Sequence, residues 1–164
     1  MMAALARFRS VIVSPLSGVS DEAWEKFVYA MDVQPIGAVS SSGGFGSFDM
    51  RPRRLVELGL MSKLRYVRML DGREVYEGKF VGIVDGLPLT RERFLNDITI
   101  QHEILAKSMV AYDEELKKML AKLDGLSRAG VLAILHRGGR GALAKWPEMF
   151  SDTAALVARC QGCF

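Results

Sequence analysis

The 164-residue chain is poor in the residue types that most often announce a chemistry: two cysteines, two histidines and two tryptophans. Cys160 and Cys163 are spaced CxxC, but a zinc site needs two further ligands and only His102 and His136 remain to offer them. A redox CxxC opens a helix, whose positive end lowers the thiol pKa, whereas this pair follows a predicted helix. Two reduced thiols are therefore expected, with no metal and no cofactor. No apolar run approaches the ~20 residues of a membrane-spanning helix, so no span is expected. The apolar start is broken by Arg9, and Val11–Val13 is too short for a signal-peptide core, which predicts assembly in a cytoplasm without a secretion signal. Charge of neither sign dominates: 22 basic and 19 acidic residues give +3, mixed along the chain, so there is no basic or acidic tail. That small excess favours anionic surfaces, whether DNA, lipid or cell-wall polymer, without choosing among them.

What is present is a sequence with enough apolar content, 49% against 25% charged, to bury a core. The expected fold class is mainly α (α+β), a single domain over 1–164 with one β-hairpin. Within it we expect an N-terminal arm over 1–19, a hairpin insertion over 64–84 and a long core helix over 90–124. Ser20 is a good N-cap with Asp21 and Glu22 behind it, and Trp24, Phe27, Val28 and Met31 then fall on one helix face. A short helix is predicted from about Asp49, with Pro52 in its first turn, Leu55, Val56 and Leu58 on its buried side and Gly59 at its end. Asp49 is most simply its cap. Tyr66, Arg68 and Leu70, then Asp71-Gly72, then Glu74–Val81 form the strand, tight turn and return strand. Thr90 caps the long helix, which carries Ile98, His102, Leu105, Met109, Tyr112, Leu116, Met119 and Leu123 at three-or-four spacing up to Gly125. Ser127 caps another helix burying Val131, Leu132 and Leu135; the Arg137–Gly141 stretch breaks it, and a last helix runs from Asp152 to about Cys160.

The most informative stretch is the small-residue loop Ser40–Ser47, which leads into Phe48 and Asp49. Its glycines allow a sharp turn or a close approach to a ligand. It lacks the GK[ST] ending of a phosphate loop. Taken alone, it is either a structural turn or a binding loop. A helix ending in a Ser/Gly run, then Phe45-Gly46-Ser47-Phe48-Asp49, then a short helix closing on Glu57-Leu58-Gly59, resembles the lysozyme-like superfamily, nearest to phage lytic transglycosylases and muramidases. Downstream, Phe94-Leu95 with Gln101, then Gly125 to Ala133, then His136-Arg137-Gly138-Gly139 resemble that family's late helix and loop. The resemblance spans residues 22–145.

The resemblance implies a lysozyme-like helical lobe and a sugar-binding role for Gly43, Gly44, Phe45, Gly46, Phe48, His136, Gly138 and Gly139. It also places the catalytic glutamate at Ser40 or Ser41, where the chain has no carboxylate. Glycosidic cleavage needs a protonated carboxyl beside the leaving oxygen, which a serine cannot replace. The remaining candidates for an acid are Asp32, Asp49 and Glu57. Three functions follow as expectations. The favoured one is a non-catalytic structural or docking part of a phage virion, in the tail, baseplate or injection apparatus, whose partners are other virion proteins or further copies of itself. An active peptidoglycan-cleaving enzyme using a displaced carboxylate is the alternative, with peptidoglycan as its substrate. A nucleic-acid-binding accessory protein is the third, resting on the Arg51, Arg53, Arg54, Arg65 and Arg68 cluster and the Arg/Gly segment at 137–141. The bland reading of His102 is a satisfied core histidine, and of His136 a cap on its helix's last carbonyls.

Overall fold

The computed structural model describes residues 12–118 and 125–164. Most of the expected N-terminal arm, and Met119 and Leu123 of the expected long helix, lie outside the described residues. Among those described are six helices and two small antiparallel sheets, an α+β architecture. They are α1 (Asp21–Met31), α2 (Pro52–Glu57), β1 (Met61–Leu70), β2 (Arg73–Phe80), β3 (Ile83–Val84), β4 (Leu87–Pro88), α3 (Arg91–Asn96), α4 (Ile98–Lys118), α5 (Arg128–Ala144) and α6 (Ser151–Cys160). None of these helices is long and apolar enough to cross a membrane. The chain divides into two compact units, one running from Val33 to Leu105, the other made of the residues up to Asp32 and those from Ala106 onward.

The discontinuous unit is helical. Ser20 accepts the Ala23 amide at 3.1 Å and starts α1, whose Trp24, Phe27, Val28 and Met31 are buried as the spacing predicted. Phe27 packs on Trp24 and on Phe164, with ring centroids 5.4 and 5.3 Å away, so Phe164 is a core contact; Phe150, just before α6, is exposed. Ser127 accepts the Gly130 amide and caps α5, which buries Val131, Leu132 and Leu135. The glycine-rich break is smaller than expected. Gly139 alone leaves helical geometry (φ 72°, ψ −172°), and the helix resumes to Ala144. Asp113, buried on α4, takes two hydrogen bonds from Arg128 at 2.7 and 2.6 Å.

The continuous unit holds the sheets. Asp71 and Gly72, both at positive φ, turn β1 into β2 as the Asp-Gly signal required. A second Asp-Gly pair, Asp85-Gly86, turns β3 into β4, a hairpin the sequence reading did not separate from the first. The expected long helix is two. Thr90 caps α3 by accepting the Arg93 amide, α3 ends at Asn96, and Asp97 starts α4 anew by accepting the Thr99 and Ile100 amides. In α2, Leu55 is fully buried, but Val56 is exposed and Leu58 only half-buried. The buried side of this short helix is instead Pro52, Arg54 and Leu55.

Candidate functional site

The Ser40–Asp49 loop folds back on itself through backbone hydrogen bonds. The Ser40 amide donates to the Gly44 carbonyl at 2.8 Å, and Gly43 returns one to Ser40 at 2.9 Å. Phe45 exchanges both bonds with Met50 at 3.0 Å each, and Gly46 donates to Ala38 at 2.8 Å. Two amide side chains hold the loop from outside. Gln34 donates to the Gly44 and Gly46 carbonyls at 3.2 and 2.7 Å. Gln101, buried in the first turns of α4, accepts the Ser47 amide at 2.8 Å and donates to Ile36 and Phe94 at 2.9 and 2.7 Å.

At the centre of the loop, the hydroxyl at the position where the resemblance expects an acid meets a carboxylate from further along. Ser40 donates to Asp49 Oδ1 at 2.8 Å, and its oxygen accepts the Gly44 amide at 3.0 Å. Ser42 Oγ lies 3.0 Å from Ser40 Oγ. A hydroxyl has one proton to give, and Ser40 gives it to Asp49, so Ser42 is the donor in that contact. One donation and two acceptances exhaust what a serine hydroxyl can make. Asp49 is 3% exposed and has φ 51°, a left-handed conformation outside the two hairpin turns. Its other oxygen is 3.4 Å from the Arg51 guanidinium. Asp49 is therefore not the cap of α2, as expected from sequence; the cap position is Arg51, which makes no side-chain capping bond.

The glycines of the loop make room for protein atoms. A Cβ on Gly44 would stand 1.6 Å from Asp49 Oδ1, and one on Gly46 would stand 2.3 Å from Gln101 Oε1. A Cβ on Gly43 would come within 2.9 Å of the Tyr76 carbonyl. Phe45 and Phe48 are buried; the Phe45 ring meets Phe80 edge-on at 5.0 Å, and the Arg91 guanidinium lies over the Phe45 ring, 5.5 Å from its centroid. Ser41 is exposed, and its carbonyl is held by the Arg68 guanidinium.

Of the other candidates for an acid, Glu57 shares the unit of this loop and Asp32 does not. Glu57 is exposed and paired with Arg54 at 2.6 Å. Asp32 is the C-cap of α1, half-buried, its amide bonded to the Tyr29 carbonyl at 3.2 Å. His136, Gly138 and Gly139 belong to the helical unit. His136 is buried inside α5, one turn before the kink, where we had expected it at a helix end. His102 is half-buried on α4, and burial lowers its pKa. Gln34 was not singled out from the sequence, and no local pattern marks it; Ser42 was named only as part of the small-residue loop and Arg51 only as part of the basic cluster.

The basic cluster is largely matched from within. Arg53 pairs with Glu74 at 3.3 Å and donates to the Tyr76 hydroxyl at 2.7 Å, Arg54 pairs with Glu57, and Arg65 pairs with Glu77. Burial raises the Cys160 thiol to about 12 and also raises Cys163. Among the described residues, no group of three or more His, Cys, Asp or Glu side chains could hold a metal ion. The chain matches no family model, no curated protein and no solved structure.

Proposed function

We propose that the chain is a non-catalytic lysozyme-like domain serving as a structural or docking part of a phage particle. The lysozyme-like assignment rests on the order of sequence pieces from the Ser/Gly loop to the His136-Gly-Gly segment. The observation that carries the non-catalytic reading is the Ser40 hydroxyl. It stands at the expected acid position with its whole hydrogen-bonding capacity committed to Asp49, Gly44 and Ser42. Such a group neither protonates a leaving oxygen nor relays a proton without first breaking the loop.

One observation favours the second reading, an active glycosidase. Asp49 is a buried carboxyl in left-handed backbone conformation beside that same serine. Buried carboxyls and sterically costly backbone are both enriched at active sites. Against it, both Asp49 oxygens are engaged by protein groups, Ser40 on one and Arg51 near the other.

The test is turbidity clearing of purified peptidoglycan by the protein and by Ser40→Glu and Ser41→Glu. A glutamate at 40 would lie against Asp49, and two carboxyls that close share a proton, which supplies an acid near neutral pH. The expected result is no clearing by the unmodified protein and measurable clearing by one variant. Clearing by the unmodified protein that Asp49→Asn abolishes would establish the glycosidase reading instead.

A further inference from the structure

β1 is exposed without interruption from Lys63 to Met69. A strand with one face on a core shows buried and exposed positions in alternation, and this one does not. It belongs to a two-stranded sheet, and among the described residues its outer edge has no strand beside it. The exposed stretch interleaves two side-chain types: basic Lys63, Arg65 and Arg68 with apolar or aromatic Leu64, Tyr66 and Met69. Tyr66 is 51% and Met69 57% exposed, and with exposed Leu64 and Val67 they form a group of apolar side chains on one strand rather than a single one. The strand contains no acidic residue; Arg65 is paired with Glu77 and Arg68 donates to the Ser41 carbonyl, and among the described residues no carboxylate pairs with Lys63 or Arg68.

We propose that β1 is a docking strand for an acidic, extended segment of a partner protein. The segment would add to the open edge with glutamate or aspartate opposite the basic residues and apolar side chains against Tyr66 and Met69. Backbone pairing supplies the affinity in such strand addition, and alternate side chains supply the choice of partner. A second copy of this chain is a poor occupant, because its β1 would bring three basic residues and no carboxylate to this edge, and the register breaks at Ser62/Arg65 and Tyr66/Arg68 disfavour edge-to-edge pairing of sheets. A short segment that is not itself in a sheet can follow the bent edge. Nucleic acid would use the cations and gain little from Leu64 and Met69. The inference rests on the docking reading above and gives it a surface and a partner chemistry.

The experiment titrates the full chain with a fluorescein-labelled decapeptide of alternating glutamate and valine, beside a lysine/valine decapeptide, oligothymidine and vesicles of 3:1 phosphatidylcholine and phosphatidylglycerol. The glutamate/valine peptide is expected to bind selectively, to slow amide exchange across Lys63–Met69, and to weaken about fivefold in Lys63→Glu, where one attraction becomes a repulsion. Met69→Ser is expected to weaken it as well, and unchanged thermal melts of both exposed-site variants exclude misfolding as the cause. Equal binding of the lysine/valine peptide, binding of oligothymidine or vesicles in place of the peptide, or no peptide binding would each overturn the proposal. None of these touches the docking reading, which falls only if the unmodified protein clears peptidoglycan.

Discussion

Replacing Gly46 by alanine tests whether the loop is held by Gln101 as its geometry indicates. Gly46 has φ 74°, where an L-residue costs about 1–2 kcal/mol. The new methyl would stand 2.3 Å from Gln101 Oε1 and force that side chain out. Gln101 makes three hydrogen bonds at 2.7–2.9 Å in buried surroundings, each contributing roughly 1 kcal/mol net. Gly46→Ala should therefore cost about 4–5 kcal/mol. Gln101→Ala removes the same three bonds and should cost about 3 kcal/mol. With Gln101 already gone, Gly46→Ala should cost only its backbone penalty, about 1–2 kcal/mol. The assay is urea unfolding of the four proteins of the cycle, followed by fluorescence and circular dichroism together because the chain has two compact units. Equal cost of Gly46→Ala with and without Gln101 would refute the reasoning.

Two further predictions concern buried titratable groups. Burial raises Cys160 to about 12, leaving a thiolate fraction on the order of 10⁻⁴ at pH 8, so iodoacetamide should label Cys163 in the folded protein while Cys160 reacts only in denaturant; labelling of both at one rate in the folded state would contradict this. Burial lowers His102 below its ordinary 6.5, so the unfolded chain takes up the proton first on acidification. Stability from this group is complete above about pH 6.5 and lost as pH falls below it, and His102→Gln should flatten that part of the urea-midpoint profile, a slope that would stay unchanged if burial were not the cause.

Local signals were legible in the sequence and long-range ones were not. Ser20 with its acidic first turn, the Trp24–Met31 face and the Asp71-Gly72 turn each lie within a dozen residues, and each formed as expected. The division between α3 and α4 was hidden because apolar periodicity runs through Asp97 without a glycine or proline, and the break is made by one side-chain cap. The candidate site was legible as a location but not as an arrangement. Gly44 and Gly46 suggested space for a ligand, whereas Asp49 and Gln101 fill it, and Gln101 is more than fifty residues away in sequence. Asp49 looked like a cap because it precedes Pro52, but the hydroxyl of Ser40 and the turn at Gly46 draw it into the loop.

Peptidoglycan clearing by the unmodified protein, beside Asp49→Asn and Ser40→Glu, tests the central claim most directly. The account predicts an inert protein, an equally inert Asp49→Asn and clearing gained with Ser40→Glu. Clearing by the unmodified protein that disappears in Asp49→Asn would contradict it and make Asp49 the acid of a working glycosidase.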